Sequence, residues 1–317
     1  MAADTTLRLP PTSAPATHHW RLTRRERRNL TVGLLFISPW LAGFIIFLLY
    51  PIIYTIRISF TRYTGFGTPE WIGLQNYRDL IRDDLFWTAV YNTMYYTCLA
   101  VPIGAVVAMV LALAMNQPLP EVPIYRAIIY IPSVIPLFTL TFIYQNLMNP
   151  TQGLFNRFLI WLGGPNINWF GDPRYAKIAL VILAQYGAGQ AAIIFLAGLK
   201  GIPMSLYEAA MLDGAGSWRR FLNVTLPLMT PIILYDLILG LSLGLQIFTQ
   251  VYIVSGVPIG GPANSTLVYV VYLYSNAFRY SALGYAAALA WILFLVTMIL
   301  ALLIFWSSKR WVNYDRT

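Results

Sequence analysis

The chain has 317 residues, of which 58% are hydrophobic and only 10% are charged, with 21 lysines and arginines against 12 aspartates and glutamates. A mean hydropathy of +0.62 is typical of a polytopic membrane protein, so the composition excludes a pair of ordinary soluble domains. The single cysteine excludes a disulfide framework and a cysteine-rich metal site, and we predict no metal site.

The predicted elements begin with a disordered basic tail over residues 1–28, which is rich in Pro, Thr and Ala in its first part. Basic side chains lie directly before the first apolar run: Arg21, Arg24, Arg25, Arg27 and Arg28. Because cytoplasmic segments of membrane proteins carry an excess of Lys and Arg, this cluster predicts a cytoplasmic N-terminus. The net charge of +9 is therefore interpreted as a topology signal and not as nucleic-acid binding.

Residues 29–310 are predicted to form an all-α transmembrane domain with six spans. A span needs roughly 20 apolar residues, and it must be helical because lipid offers the backbone no hydrogen-bond partners. The predicted spans are Thr31–Thr55, Thr88–Met115, Tyr125–Met148, Tyr175–Leu199, Leu226–Ser255 and Tyr285–Ser307. An even number of spans places the C-terminal tail, residues 311–317, in the cytoplasm as well.

The cytoplasmic loop between spans four and five contains a predicted helix–turn–helix elbow. Ser205 and Glu208 have the spacing of a capping box, which predicts that a short helix starts there. Gly214 is expected to supply a left-handed turn that ends this helix. Ser217 is expected to cap a second short helix, which ends at the prolines where the fifth span begins. These features together predict a rigid knob beneath the membrane.

The same loop, residues 200–227, carries a family resemblance. It contains Glu208-Ala209-Ala210, three residues, Gly214, nine residues and then Val224-Thr225-Leu226-Pro227. This pattern is similar to the EAA motif of ABC importer permeases, with valine in the slot usually held by isoleucine. The chain from about Thr31 to Arg310 also resembles the first inner-membrane permease of the maltose, glycerol-phosphate and multiple-sugar importers, in the following segments: Trp71–Tyr77, Phe86-Trp87, Asn92-Thr93, Tyr125-Arg126, Ile131-Pro132, Phe248–Tyr252 and Gly260–Thr266.

The resemblance implies the fold and partners of an ABC type I importer permease in a bacterial or archaeal cytoplasmic membrane. Such a permease is not an enzyme: ATP and Mg are used by a separate ATPase dimer, and this chain has no GxxxxGK[ST] phosphate loop and no expected cofactor. A second homologous permease completes the pore, and an extracytoplasmic binding protein delivers the sugar.

In that family the elbow is seated in a cleft of the ATPase. The resemblance implies that Glu208 pairs with basic groups there, that Ala209 and Ala210 permit close packing, and that Asp213 and Gly214 hold the turn. Pro227 closes the motif at the start of the fifth span.

The substrate path is predicted from polar side chains and from the segments that contact sugar in the resembling maltose permease. The candidates are Ser133, Tyr186, Gly187, Gln190, Gly240, Gly244, Gln246 and Gln250. For each glutamine, an interhelical hydrogen bond is as consistent with the sequence as contact with sugar.

Asp236 is an acid in the middle of the fifth predicted span. A charge there costs roughly 2.5–3.5 kcal/mol on insertion scales, so it should face protein or water and have a partner. A structural hydrogen bond to a neighbouring hydroxyl or to the second permease is the preferred interpretation, and proton coupling is the alternative.

The resulting functional hypothesis is import of a neutral di- or oligosaccharide, since no obvious basic pair lies within a span. Import of glycerol-3-phosphate or another polyol by the same machinery is an alternative. A stand-alone proton-coupled carrier would depend on Asp236. A lipid-modifying membrane enzyme would need clustered His, Asp or Glu near an interface, whereas both histidines lie in the N-terminal tail.

Overall fold

The computed structural model describes residues 23–256 and 260–313. The first part of the predicted N-terminal tail and the last residues of the predicted C-terminal tail lie outside this part of the chain. The described residues belong to two units, one reaching Tyr54 and the other starting at Thr55.

The described residues of the first unit from Arg24 onwards are helical, and the helix continues to Ser59. It is composed of α1 (Arg24–Phe44), a π-helical turn (Ile45–Leu49) and α2 (Tyr50–Ser59). The Thr23 side chain and Glu26 form a capping box at its start. The helix therefore begins at Arg24, and the part of the predicted disordered tail from Arg24 onwards is helical. Its 36 residues are more than enough to cross a bilayer.

The second unit begins with a small folded segment. Strands β1 (Thr61–Arg62) and β2 (Glu70–Trp71) pair antiparallel, and α3 (Gln75–Arg82) follows. The Asn76 amide donates hydrogen bonds to the carbonyls of Ser59 (2.8 Å) and Thr61 (3.0 Å), and the Tyr77 hydroxyl donates to the Ser59 hydroxyl (2.8 Å). The Trp71–Tyr77 segment of the family resemblance thus has a structural role here, which is to fasten α3 to the hairpin.

The helices of the described residues confirm the predicted all-α membrane fold. Five helices of the described chain are long and apolar enough to span a membrane, and a sixth span results if one bent pair is counted. After α3 the helices are α4 (Asp84–Met115), α5 (Val122–Val134), α6 (Leu137–Leu147), α7 (Leu154–Trp161), α8 (Pro173–Ala184), α9 (Ala188–Lys200), α10 (Met204–Leu212), α11 (Ser217–Arg220), α12 (Leu226–Leu245), α13 (Thr249–Ser255), α14 (Tyr269–Tyr274) and α15 (Leu283–Ser308).

The third predicted span is not one straight helix. Its two halves, α5 and α6, meet at an angle of 102°. The cause lies at Ile135 and Pro136: proline offers no N–H for the helix, and its ring pushes the preceding residue into an extended conformation. Ile135 has φ −74° and ψ 130°. The prediction of a continuous helix from Tyr125 to Met148 was therefore wrong.

Helix α4 is the centre of the packing. It packs along α9 and α12, with α8 and α14 against its N-terminal half. Its C-terminal half presents small alanines, Ala108 and Ala112, to Phe195 of α9 and Met229 of α12, all fully buried. Small residues at such contacts let helix backbones approach closely. This arrangement joins the C-terminal part of α4 to α9 and to the first turn of α12.

Asp83 fastens the N-terminal end of α4 to α14 and α15. Its carboxylate accepts hydrogen bonds from the N–H groups of Leu85 (2.9 Å) and Phe86 (3.4 Å) at the start of α4. It also accepts hydrogen bonds from the hydroxyls of Tyr272 on α14 and Tyr285 on α15. Partial burial alone would raise the pKa of Asp83, but these donors together bring the pKa below its ordinary value.

Removal of the Asp83 carboxylate should destabilise the bundle. An Asp83→Ala variant loses the cap and leaves two tyrosine hydroxyls without their acceptor, so we expect a loss of about 1–3 kcal/mol in the free energy of unfolding. Asp84→Ala is the matched control, because Asp84 is exposed and should have a smaller effect. Equal destabilisation by the two variants, measured by unfolding in detergent, would contradict the assignment.

The same contact predicts a pH dependence. Because the folded-state pKa of Asp83 is lowered, its contribution is complete above the unfolded-state pKa of about 3.9 and is lost as the pH falls through the folded-state value. The difference in stability between wild type and Asp83→Ala should be constant at neutral pH and should shrink in strong acid.

Candidate functional site

The predicted elbow is present between α9 and α12, but its first helix starts differently from the prediction. Helix α10 begins at Met204 with Pro203 as its N-cap, and no side chain caps it. Ser205 therefore lies inside the first turn, and the predicted capping box between Ser205 and Glu208 does not form. Proline at the N-cap itself fixes the entry of the chain, since its missing N–H is not needed there.

The turn of the elbow follows the prediction at Gly214, which has φ +76°. The N–H of Ala215 donates to the carbonyl of Ala210 (2.9 Å) and the N–H of Gly214 donates to that of Met211 (3.0 Å). This pair of bonds is a Schellman motif, which needs a residue in the left-handed conformation at this position. Asp213, directly before the glycine, is the C-cap of α10.

The second arm of the elbow is continuous with the fifth span. Helix α11 has Gly216 as its N-cap without a side-chain hydrogen bond, and the Ser217 hydroxyl instead accepts a hydrogen bond from Arg220 (3.2 Å), so the predicted Ser217 cap is wrong. A π-helical turn (Phe221–Thr225) joins α11 to α12. Pro227 therefore does not end the second helix as predicted. A π-turn widens the helix before the proline ring, which otherwise clashes with the preceding turn.

Side-chain contacts brace the elbow from within. The hydroxyls of Tyr207 on α10 and Thr225 on the π-turn are hydrogen bonded at 2.9 Å. The rings of Trp218 and Phe221 stack with centroids 5.5 Å apart. The hydrogen bond ties the first arm to the second, and the ring contact braces the second arm where it joins the fifth span.

The outer surface of the elbow is uncovered. No residue of α10 is buried, and the Leu212 side chain is 90% exposed. Glu208 and Ala209 are exposed and Ala210 is partly buried, and the described residues offer the Glu208 carboxylate no hydrogen bond or ion pair. An apolar surface around a free carboxylate is a feature of a docking site.

A second site lies within the membrane-spanning helices, where three interruptions converge on one cavity of about 380 Å³. Leu137 lines it from the bend between α5 and α6. Tyr186 lines it from a 3₁₀ turn (Gln185–Gly187) between α8 and α9, and Phe248 lines it from the break between α12 and α13. Non-helical backbone at membrane depth is tolerated only where it is buried in protein or faces a cavity, so these breaks mark a site.

The cavity brings most of the predicted substrate-path residues together. It is lined by Tyr186, Gly187, Gly240, Gly244, Gln246 and Gln250. Ser133 and Gln190 do not line it. The Ser133 hydroxyl lies against Gly189 of α9, and Gln190 is exposed on another face of that helix.

The glycines of the cavity have different roles. A Cβ at Gly240 would lie 2.8 Å from Val101, and a Cβ at Gly244 would lie 2.9 Å from Thr97, so these two allow α12 to approach α4 closely. A Cβ at Gly187 would meet nothing within 4 Å and would point into open space. Of these three glycines, Gly187 is therefore the one at which a larger side chain would meet no neighbouring atom.

Sequence reasoning missed one wall of the cavity and the place of Asp236. Helix α4 contributes Tyr96, Ala100 and Gly104, which the sequence did not distinguish from the other tyrosines and small residues of this helix. Asp236 on α12 also lines the cavity. The expected hydrogen bond to a hydroxyl of this chain does not form among the described residues.

Comparisons with known proteins agree with this architecture. Residues 86–313 match the family described as binding-protein-dependent transport system inner membrane component. The chain is 35% identical to "Probable ABC transporter permease protein YesP" of Bacillus subtilis (strain 168), with 92% of this chain and 95% of that protein covered. It is 34% identical to the lactose transport system permease protein LacF of Rhizobium radiobacter, with 88% and 94% covered.

The fold also matches a solved structure. A chain of a bacterial ABC transporter involved in the import of the acidic polysaccharide alginate superposes with a TM-score of 0.77 at 23% identity, covering 92% of this chain and 100% of that one. The chain therefore shares its overall fold with that chain. Since the family match extends over most of the chain, the protein belongs to the inner membrane components of binding-protein-dependent transport systems, which are the permeases of ABC importers.

Proposed function

We propose that this chain forms half of the translocation pore of an ATP-driven importer for a neutral di- or oligosaccharide. The observation that carries the proposal is the convergence of three helix breaks on the cavity that contains Tyr186, Gln246 and Gln250. Amide groups donate and accept hydrogen bonds as sugar hydroxyls do, and aromatic rings pack on the apolar faces of sugars. The names of relatives such as the lactose permease LacF support this substrate class.

The pore needs a second wall. Leu243 lines the cavity and is nevertheless 72% exposed, so the cavity is open on this side of α12. A second, homologous permease covers this opening in our proposal. An extracytoplasmic binding protein then delivers the sugar at the outer end of the bundle.

The energy comes from a separate ATPase dimer that binds the elbow. In this proposal Glu208 pairs with a basic group of the ATPase, and the exposed surface of α10 packs into its cleft. A charge-assisted contact of this kind contributes on the order of 1.5–3 kcal/mol, and the packing supplies the remainder. The N-terminus, the elbow and the C-terminus lie in the cytoplasm, as the arginine cluster before the first span indicates.

Two alternative functions, glycerol-3-phosphate import and proton-coupled transport by this chain alone, differ from the proposal in what they require. Import of glycerol-3-phosphate calls for a cation in the path, yet among the described residues no lysine or arginine lines the cavity. A stand-alone proton carrier would use Asp236. Uptake that stops without ATP and does not respond to an imposed proton gradient would eliminate that carrier.

Cross-linking tests the proposed docking of the elbow. Cys98 is the single cysteine, so Cys98→Ser provides a cysteine-free chain. In native vesicles, Leu212→Cys on the elbow should cross-link to a nucleotide-hydrolysing protein. Phe66→Cys, in the hairpin loop of the second unit, is the matched control, because the two side chains are 90% and 86% exposed. Capture by neither position, or equally by both, would contradict the proposal.

A further inference from the structure

Asp236 lines the cavity between the membrane-spanning helices. It lies near the middle of the 20-residue helix α12, on the order of 15 Å from either end. Gly240 and Gly244 follow at intervals of four residues, so the three positions share one face, and all three line the cavity. Asp236 is partly buried and lines the same cavity as Tyr186 and Gln246.

The surroundings of Asp236 contain no compensating positive charge. In the part of the chain that the structure describes, the lining of the cavity includes no lysine, arginine or histidine, and Asp236 takes part in no ion pair or hydrogen bond. Hydroxyl donors are present instead, on Tyr96, Tyr186 and Thr249. A carboxylate at membrane depth is tolerated when it faces water or pairs with a donor, and both conditions point to the cavity.

We propose that Asp236 determines substrate specificity: it accepts hydrogen bonds from the hydroxyls of a neutral saccharide and excludes saccharides that carry a carboxylate, sulfonate or phosphate. This inference rests on the proposed carbohydrate pore. A carboxylate is acceptor-only, so it complements hydroxyl groups. An anionic ligand in the same cavity would meet a like charge, with no lysine or arginine among the lining residues to offset it.

Selectivity between the two ligands depends on weak binding of the acidic saccharide as much as on tight binding of the neutral saccharide. Specificity is a difference between two affinities, and a like charge against the wrong ligand enlarges that difference. Removing the charge should therefore improve binding of the acidic ligand more than it weakens binding of the neutral one. This asymmetry separates a specificity residue from a residue that merely supports the helix.

The test uses the complete importer in nanodiscs without nucleotide, and it omits the binding protein so that the selectivity of that protein does not contribute. The ligands are a panel of neutral disaccharides, each paired with its derivative in which the terminal C6 hydroxymethyl group is a carboxylate. Wild type should bind the neutral member at least about tenfold more tightly. In Asp236→Asn the ratio should fall to within about threefold, mainly through tighter binding of the acid.

Two further variants make the result specific. Asp236→Glu keeps the charge and should keep the wild-type ratio. Asp79→Asn removes an exposed carboxylate on α3, outside the cavity, and should change nothing. A wild-type ratio in Asp236→Asn, or a collapsed ratio in Asp236→Glu, would overturn the role of Asp236. Binding of no saccharide by wild type would instead overturn the carbohydrate pore, and this inference with it.

Discussion

A Gly214→Val variant should assemble in the membrane at normal levels, hydrolyse ATP and fail to import, with uptake reduced by at least about tenfold. The reason is local: Gly214 has φ +76°, and an L-residue in this conformation costs roughly 1–2 kcal/mol, more for a β-branched side chain. The chain can relieve the strain by changing the turn, which alters the angle between α10 and α11. The measurement is uptake and ATP hydrolysis by the same reconstituted complex.

Gly67 provides a matched control for this experiment. It also has φ +76°, and a Cβ at either glycine would meet nothing within 4 Å, so valine introduces similar strain at both positions. Gly67 lies in the loop of the β1–β2 hairpin, away from the elbow. Gly67→Val should therefore transport normally. Wild-type uptake by Gly214→Val, or an equal loss in both variants, would count against the coupling role.

Glu208→Ala separates the charge of the elbow from its shape. The described residues give Glu208 no partner within the chain, so its removal should leave the stability of this subunit unchanged. If Glu208 pairs with the ATPase, the loss appears in the assembly of the complex and in uptake. Gly214→Val instead keeps the charge and changes its position. Together the two variants show whether coupling depends on the charge of Glu208 or on the position in which the elbow holds that charge.

The membrane fold could be predicted because lipid leaves the backbone few choices. The second predicted span, Thr88–Met115, and the sixth, Tyr285–Ser307, each lie within one observed helix, since a long apolar run without a break can only be helical there. The bend at Pro136 was missed because prolines are tolerated inside membrane helices. Pro102 lies within the continuous helix α4. Composition alone does not tell a bending proline from a tolerated one.

The two sites differed in how far the sequence could identify them. The elbow was identified from its motif, and the left-handed glycine was correct because few other residues adopt that conformation. The caps at Ser205 and Ser217 were wrong because Pro203 and Gly216 fix where the helices start. The cavity depends on which helix faces meet, and the part of α4 that lines it is as apolar as its lipid-facing sides.

Gly187→Leu should block transport while leaving the protein folded. The backbone at Gly187 is in the ordinary right-handed helical region, so leucine causes no backbone strain. A Cβ there meets nothing within 4 Å, and the new side chain extends into the cavity of about 380 Å³. If this cavity is the substrate path, the sugar and the leucine compete for the same space, and uptake should fall by at least about tenfold with an unchanged unfolding temperature.

Gly189→Ala, two residues further along the chain, shows what a loss of helix packing does to stability. A Cβ at Gly189 would lie 2.3 Å from the carbonyl oxygen of Ile129, so this variant should destabilise the contact between α9 and α5 by about 1–3 kcal/mol. Gly43→Leu, on the apolar helix of the first unit, also has an open Cβ position and lies outside the cavity, so it should transport normally. The cavity would not be the path if Gly187→Leu and Gly43→Leu transported equally well. It would also be misassigned if Gly187→Leu lost stability as Gly189→Ala does, since its effect would then be on packing and not on the sugar.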